Sequence, residues 1–100
     1  MGFFDFLKPR NKEFVQSCWP GGKMLQVHME YDTQKLIFTY LGRYGLQFNV
    51  PKSDVTDIIV KEVSRTHSII QIYHDEACVG TTDIIPTEAC ETIKDWMLQF

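Results

Sequence analysis

His74 and Cys78 are the side chains whose types and spacing come nearest to a recognisable chemistry. They flank Asp75-Glu76-Ala77, and a tight turn there would let an imidazole and a thiolate face each other across a hairpin, half of a zinc site. The other half would have to come from His28, His67, Cys18 or Cys90, and none of these stands at the short spacing that zinc sites use. Asp54 and Asp57 could bring two carboxylates together for acid–base work, but after Pro51 and Ser53 they read more simply as turn and capping residues. Nucleophile-elbow, Walker A, HExxH and dinucleotide-glycine patterns are absent: Gly21-Gly22-Lys23 has no upstream glycine, and Gly42 and Gly45 have no third partner. The expectation is a protein that is not an enzyme, with no catalytic residue, metal or cofactor. A small metal-binding or enzymatic protein using His74 and Cys78 is a remaining alternative.

Composition bounds the rest. A chain of 100 residues with 44% hydrophobic side chains makes one domain with a real core, since about 65% of its surface can be buried on folding. A net charge of -3 lacks the concentrated positive field that nucleic acid requires, and no small-molecule substrate is indicated. Cys18, Cys78 and Cys90 are odd in number and widely spaced, which suits a reducing cytosol rather than a disulfide framework. No run approaches the roughly 18 apolar residues of a membrane span. The first residues place apolar side chains before basic ones, the reverse of a secretory signal, and Phe6 stands where a myristoylation motif wants Ser or Thr.

Strand-like alternation dominates the elements that would position any site. Leu25, Val27, Met29 and Tyr31 alternate with polar residues from Met24; Lys35 to Leu41 places Leu36, Phe38 and Tyr40 on one face; Leu46, Phe48 and Val50 alternate up to Pro51. Further strands are expected over Asp57–Val63, His67–Tyr73 and Cys78–Ile85. The period then changes to that of a helix, with Ala89, Cys90, Ile93, Trp96, Met97 and Phe100 on one stripe and Thr87 as a plausible N-cap. Glu13–Trp19 fits a short helix face or a pleated strand. The fold class is therefore mainly β (α+β): about six to seven antiparallel strands and one C-terminal amphipathic helix.

If Glu13–Trp19 is a strand, this order resembles the pleckstrin-homology-like (PH-like) superfold, particularly its small bacterial members. The likeness is strongest at Leu46-Gln47-Phe48-Asn49-Val50-Pro51-Lys52-Ser53-Asp54-Val55-Thr56-Asp57-Ile58, similar to their passage into the fifth strand, and at Thr87-Glu88-Ala89-Cys90-Glu91, which opens the last helix. The resemblance implies a small barrel over 13–100, its open end plugged by the helix, acting as a non-catalytic binding or assembly scaffold. Phosphoinositide-binding members carry basic residues on the first two strands and their loop; here Gln26, His28 and Glu30 stand there with only Lys23. That departure argues against phosphoinositide recognition.

Two partner expectations follow. The first is protein–protein contact or self-association through turn, edge and off-stripe residues, namely Trp19, Lys23, Arg43, Tyr44 and Leu98. The second concerns residues 1–12, where Phe3, Phe4, Phe6 and Leu7 precede Lys8, Arg10 and Lys12. This apolar and basic segment could contact a neighbouring subunit, or lie peripherally on the inner face of the membrane. Burying its four large apolar side chains would yield about 6–12 kcal/mol, against about 10–20 kcal/mol of backbone entropy for ordering ten residues, so membrane contact through it alone would be weak.

Overall fold

The computed structural model describes residues 12–18, 24–42 and 45–100. Strands β1 (Lys12–Cys18), β2 (Leu25–Asp32), β3 (Ile37–Gly42) and β4 (Gly45–Pro51) form one antiparallel sheet in chain order. Strands β5 (Asp57–Glu62), β6 (His67–His74) and β7 (Ala77–Thr81) form a second, in which the two-residue β8 (Ile85–Pro86) pairs with the start of β6. Helix α1 (Thr87–Met97) follows. Among the described residues, no strand pairing joins the two sheets into a closed barrel. Strand β4 lies against β7, while α1 packs on β5, β6, β8 and β1.

The alternation seen in the sequence fixes which faces meet. Leu25, Val27, Met29 and Tyr31 from β2, Phe38 and Tyr40 from β3, and Phe48 and Val50 from β4 are buried together with Ile58, Ile70, Ile72 and Ile85 of the second sheet. Each such side chain is worth about 1.5–3 kcal/mol when fully buried, and a one-residue slip would turn a whole strand's set into water, so the register is strongly specified. Ala89, Cys90, Ile93 and Met97 of α1 complete the core, and Trp96 and Phe100 pack on it half-buried. Gly80 is what lets β4 and β7 approach: a Cβ there would lie 2.9 Å from Cγ of Phe48.

Several local readings change. The stretch that fitted either helix or strand is strand β1, as far as Cys18. Leu36 belongs to a turn rather than to β3, with φ of 58° and its side chain exposed. The cause is Asp32, whose Oδ1 accepts the N–H groups of Gln34 (2.9 Å) and Lys35 (3.0 Å) while its carbonyl accepts that of Leu36 (2.8 Å). Those two N–H groups also hold the Asp32 carboxyl below its ordinary range. The return strand expected over Cys78–Ile85 is divided into β7 and β8, because Thr82 turns its side chain inward: its Oγ1 accepts the Ile70 N–H (2.9 Å) and donates to the Asp83 carbonyl (3.0 Å). Thr87 is the first helical residue rather than the N-cap, since its hydroxyl is paired with Ser68 Oγ at 2.7 Å.

Candidate functional site

Helix α1 stops at Met97. Leu98 N–H still donates to the Lys94 carbonyl (3.0 Å), and the chain then turns through Gln99, so that the Phe100 ring folds back onto Tyr31, Trp96 and Phe38, with centroids 4.5, 4.9 and 5.8 Å away. Leu98 itself is left 62% exposed. Facing it is the connection from β4 to β5. Pro51 ends β4, Lys52–Asp54 form a single 3-10 turn, and Val55 N–H closes on the Lys52 carbonyl at 3.0 Å. Thr56 ties this connection to the β6–β7 hairpin: its hydroxyl donates to the Tyr73 carbonyl (3.0 Å) and accepts the Asp75 N–H (2.6 Å).

Between these two walls run adjoining clefts of about 330 and 140 Å³ that share Val55, Ile58 and Leu98. Lys94 and Asp57 line the first, and Lys52 and Phe100 the second. The groove is thus apolar along its floor, carries two ammonium groups and one carboxylate at its sides, and has no His, Cys or Ser in its lining. Such a lining offers apolar contact along the floor and, at Lys52 and Lys94, charge pairing to a carboxylate. No family model, curated protein or solved structure matches the chain.

Of the residues expected to contact a partner, Leu98 is the one brought to a groove; Trp19, Lys23, Arg43 and Tyr44 lie outside the described residues. So do Phe3, Phe4, Phe6, Leu7, Lys8 and Arg10, whereas Lys12 opens β1, exposed and opposite Tyr31. The turn between His74 and Cys78 forms, but its register pairs His74 with Ala77 and Cys78 with Tyr73, which puts the imidazole and the thiol on opposite faces. His74 Nδ1 lies 3.1 Å from the Asp54 carbonyl, and Cys78 Sγ lies 3.5 Å from the Gly80 carbonyl and from Thr81 Oγ1. Asp57 Oδ1 accepts the Ile58 N–H at 2.8 Å, a local cap at the start of β5.

All three cysteines are free thiols: Cys18 and Cys90 are buried, while Cys78 is exposed and not a core residue. Burial pushes the Cys18 thiol up, and pushes Cys90 up to about 12, helped by the neighbouring Cys18 and Glu91. Both are protonated at neutral pH and act as apolar packing rather than as nucleophiles. Tyr40, fully buried, is raised above its ordinary value by burial and by Asp83, to whose Oδ2 its hydroxyl donates at 3.4 Å. Val55, Lys52 and Lys94 are groove residues that the sequence does not single out; the one signal it carries is Leu98 standing off the helix stripe.

Proposed function

We propose that this chain is a non-catalytic interaction module of PH-like type, whose groove at the C-terminal end of α1 takes a segment of a partner protein carrying a large apolar side chain beside an acidic one. The observation that carries this reading is the exposed Leu98 set over a continuous apolar floor between Lys52 and Lys94. The PH-like assignment is supported by the order of elements, a four-strand meander, a second antiparallel sheet and a final helix packed across both sheets. A protein partner is favoured over a membrane surface at this site because the two lysines are offset by Asp57.

Selection of random peptides displayed against the full chain tests the proposal. Enriched peptides should combine Leu, Ile, Phe or Trp with a neighbouring Asp or Glu. Filling the floor against Leu98 removes about 1.5–3 kcal/mol of apolar exposure, so Leu98→Asp should weaken the selected peptides by roughly ten- to a hundredfold without unfolding the domain. Peptides that bind Leu98→Asp as tightly as the parent chain would overturn the reading. Light scattering over a concentration series identifies the other occupant: a dimer abolished by Leu98→Asp would mean that a second copy, not a foreign partner, fills the groove.

A further inference from the structure

On the face of the first sheet that points away from α1, Glu13 of β1 stands directly opposite Glu30 of β2, and His28 lies one pair along, opposite Val15. Like charges facing each other across an antiparallel pair are destabilising unless something neutralises them. The described residues of β1, β2 and β3 that share this face add a third carboxylate, Asp32, and no Lys or Arg. The one basic side chain that these described strands bring to the pair is His28, whose Nε2 lies 3.8 Å from Glu13 Oε1, an ion-pair distance when the ring is protonated.

His28 is flanked across the strands by Val15 on one side and Leu41 on the other. Its Nε2 is buried and without a hydrogen-bond partner, and the Glu13 Oε1 oxygen is 3.8 Å away, beyond hydrogen-bond range. A buried ring nitrogen left unpaired between two carboxylates is costly, and a metal ion is one group that satisfies all three at once. One ligand atom from each of Glu13, His28 and Glu30 lies within 4.8 Å of the others. Ligands about 2.1 Å from a tetrahedral ion stand roughly 3.4 Å apart, so closure needs only a side-chain rotation of the carboxylates, and Glu13 is exposed enough to make it.

We infer that Glu13, His28 and Glu30 form a binding site for a divalent transition-metal ion of the zinc class, on the sheet face opposite the helix and separate from the groove. One imidazole and two carboxylates suit Zn²⁺, Co²⁺ or Ni²⁺ better than Mg²⁺ or Ca²⁺, which take oxygen ligands. Three protein ligands leave the fourth position to water.

The test is a Zn²⁺ titration of the full, tag-free chain carrying Cys78→Ser, which removes the exposed thiol as a competing ligand. One equivalent should bind reversibly to chelator, and both ring C–H resonances of His28 should shift until that equivalent is reached. His28→Gln and Glu30→Gln should each weaken binding at least tenfold while the amide spectrum stays that of the folded chain. With Co²⁺ the near-ultraviolet spectrum should show no thiolate charge-transfer band. His28 ring resonances that do not move with one equivalent of Zn²⁺ would overturn the inference whether or not the variants fold, and so would unchanged affinity in His28→Gln.

Discussion

Gly80→Ala probes the contact on which the relative placement of the two sheets depends. An alanine Cβ at this position would lie 2.9, 3.1 and 3.2 Å from three atoms of the Phe48 ring, inside ordinary van der Waals separation. The ring has nowhere easy to go: it stacks on Tyr40 at 5.4 Å between centroids and 11° between planes, and Tyr40 is itself tied to Asp83. With its amide nitrogen turned toward the same carboxylate, Gln47 donates to it at 2.8 and 3.1 Å, which fixes the far side of the stack. Overpacking of this kind costs about 1–3 kcal/mol. For a domain of this size each kcal/mol corresponds to about 4–8 °C in Tm. Urea and thermal unfolding should therefore place Gly80→Ala at about 5–20 °C below the parent. Phe48→Leu, destabilising alone through the volume it removes, should recover part of that loss in the double variant, with a coupling of about 1 kcal/mol. Gly80→Ala within about 0.5 kcal/mol of the parent, or strict additivity with Phe48→Leu, would show that β4 and β7 do not meet as described.

Thr82→Val keeps the side-chain shape but leaves the buried Ile70 N–H without its 2.9 Å acceptor; a loss of about 1–3 kcal/mol in urea unfolding is expected, and a neutral result would contradict the inward placement of Thr82. The Cys90 thiol, ordinarily near 9.0 and pushed up to about 12 by burial, is protonated in the folded chain over a range where the unfolded chain ionises. Its contribution is complete below about pH 9 and is lost as pH rises toward 12, at no more than about 1.4 kcal/mol per pH unit. Stability measured under reducing conditions should thus fall more steeply above pH 9 in the parent than in Cys90→Ala; equal slopes would mean that Cys90 is not buried. Asp32 titrates in the opposite sense: with its carboxyl held below the ordinary 3.8, the stability it adds is present above that value and lost as pH falls through the lower folded value, a loss that Asp32→Asn should remove.

The strands and the helix were legible because period two and period 3.6 are properties of consecutive residues. Val27, Met29 and Tyr31 had to share one face of an extended chain, and Ala89, Cys90, Ile93 and Met97 one stripe of a helix, whatever they packed against. Where the sequence misled, a side chain had taken over backbone hydrogen bonding. Asp32 captures the amides that would have begun β3 at Lys35, Thr82 interrupts the return strand, and Ser68 claims the hydroxyl that looked free to cap α1. Such captures depend on where the donor lies in three dimensions, and for Ser68 and Thr87 the partner is on another element.

The groove was only half legible. Leu98 stood out because it breaks the stripe, but its opposite wall, Val55 and Lys52, comes from the β4–β5 connection, and no local pattern announces that the helix end and this connection meet. The pairing of Glu13 with Glu30 was less visible still. It exists because β1 and β2 pair with Val15 against His28, and a slip of one residue would send the carboxylates to opposite faces. His74 and Cys78 show the reverse case: adjacent on paper across a turn, they diverge because antiparallel pairing puts His74 with Ala77.

Amide chemical-shift mapping of the full chain with its tightest selected peptide bears most directly on the role of the groove. The shifts should centre on Val55, Thr56, Ile58, Lys94, Leu98 and Phe100 and vanish in Leu98→Asp at the same peptide concentration. Shifts centred on the outer face of β1–β3, or unchanged by Leu98→Asp, would contradict it.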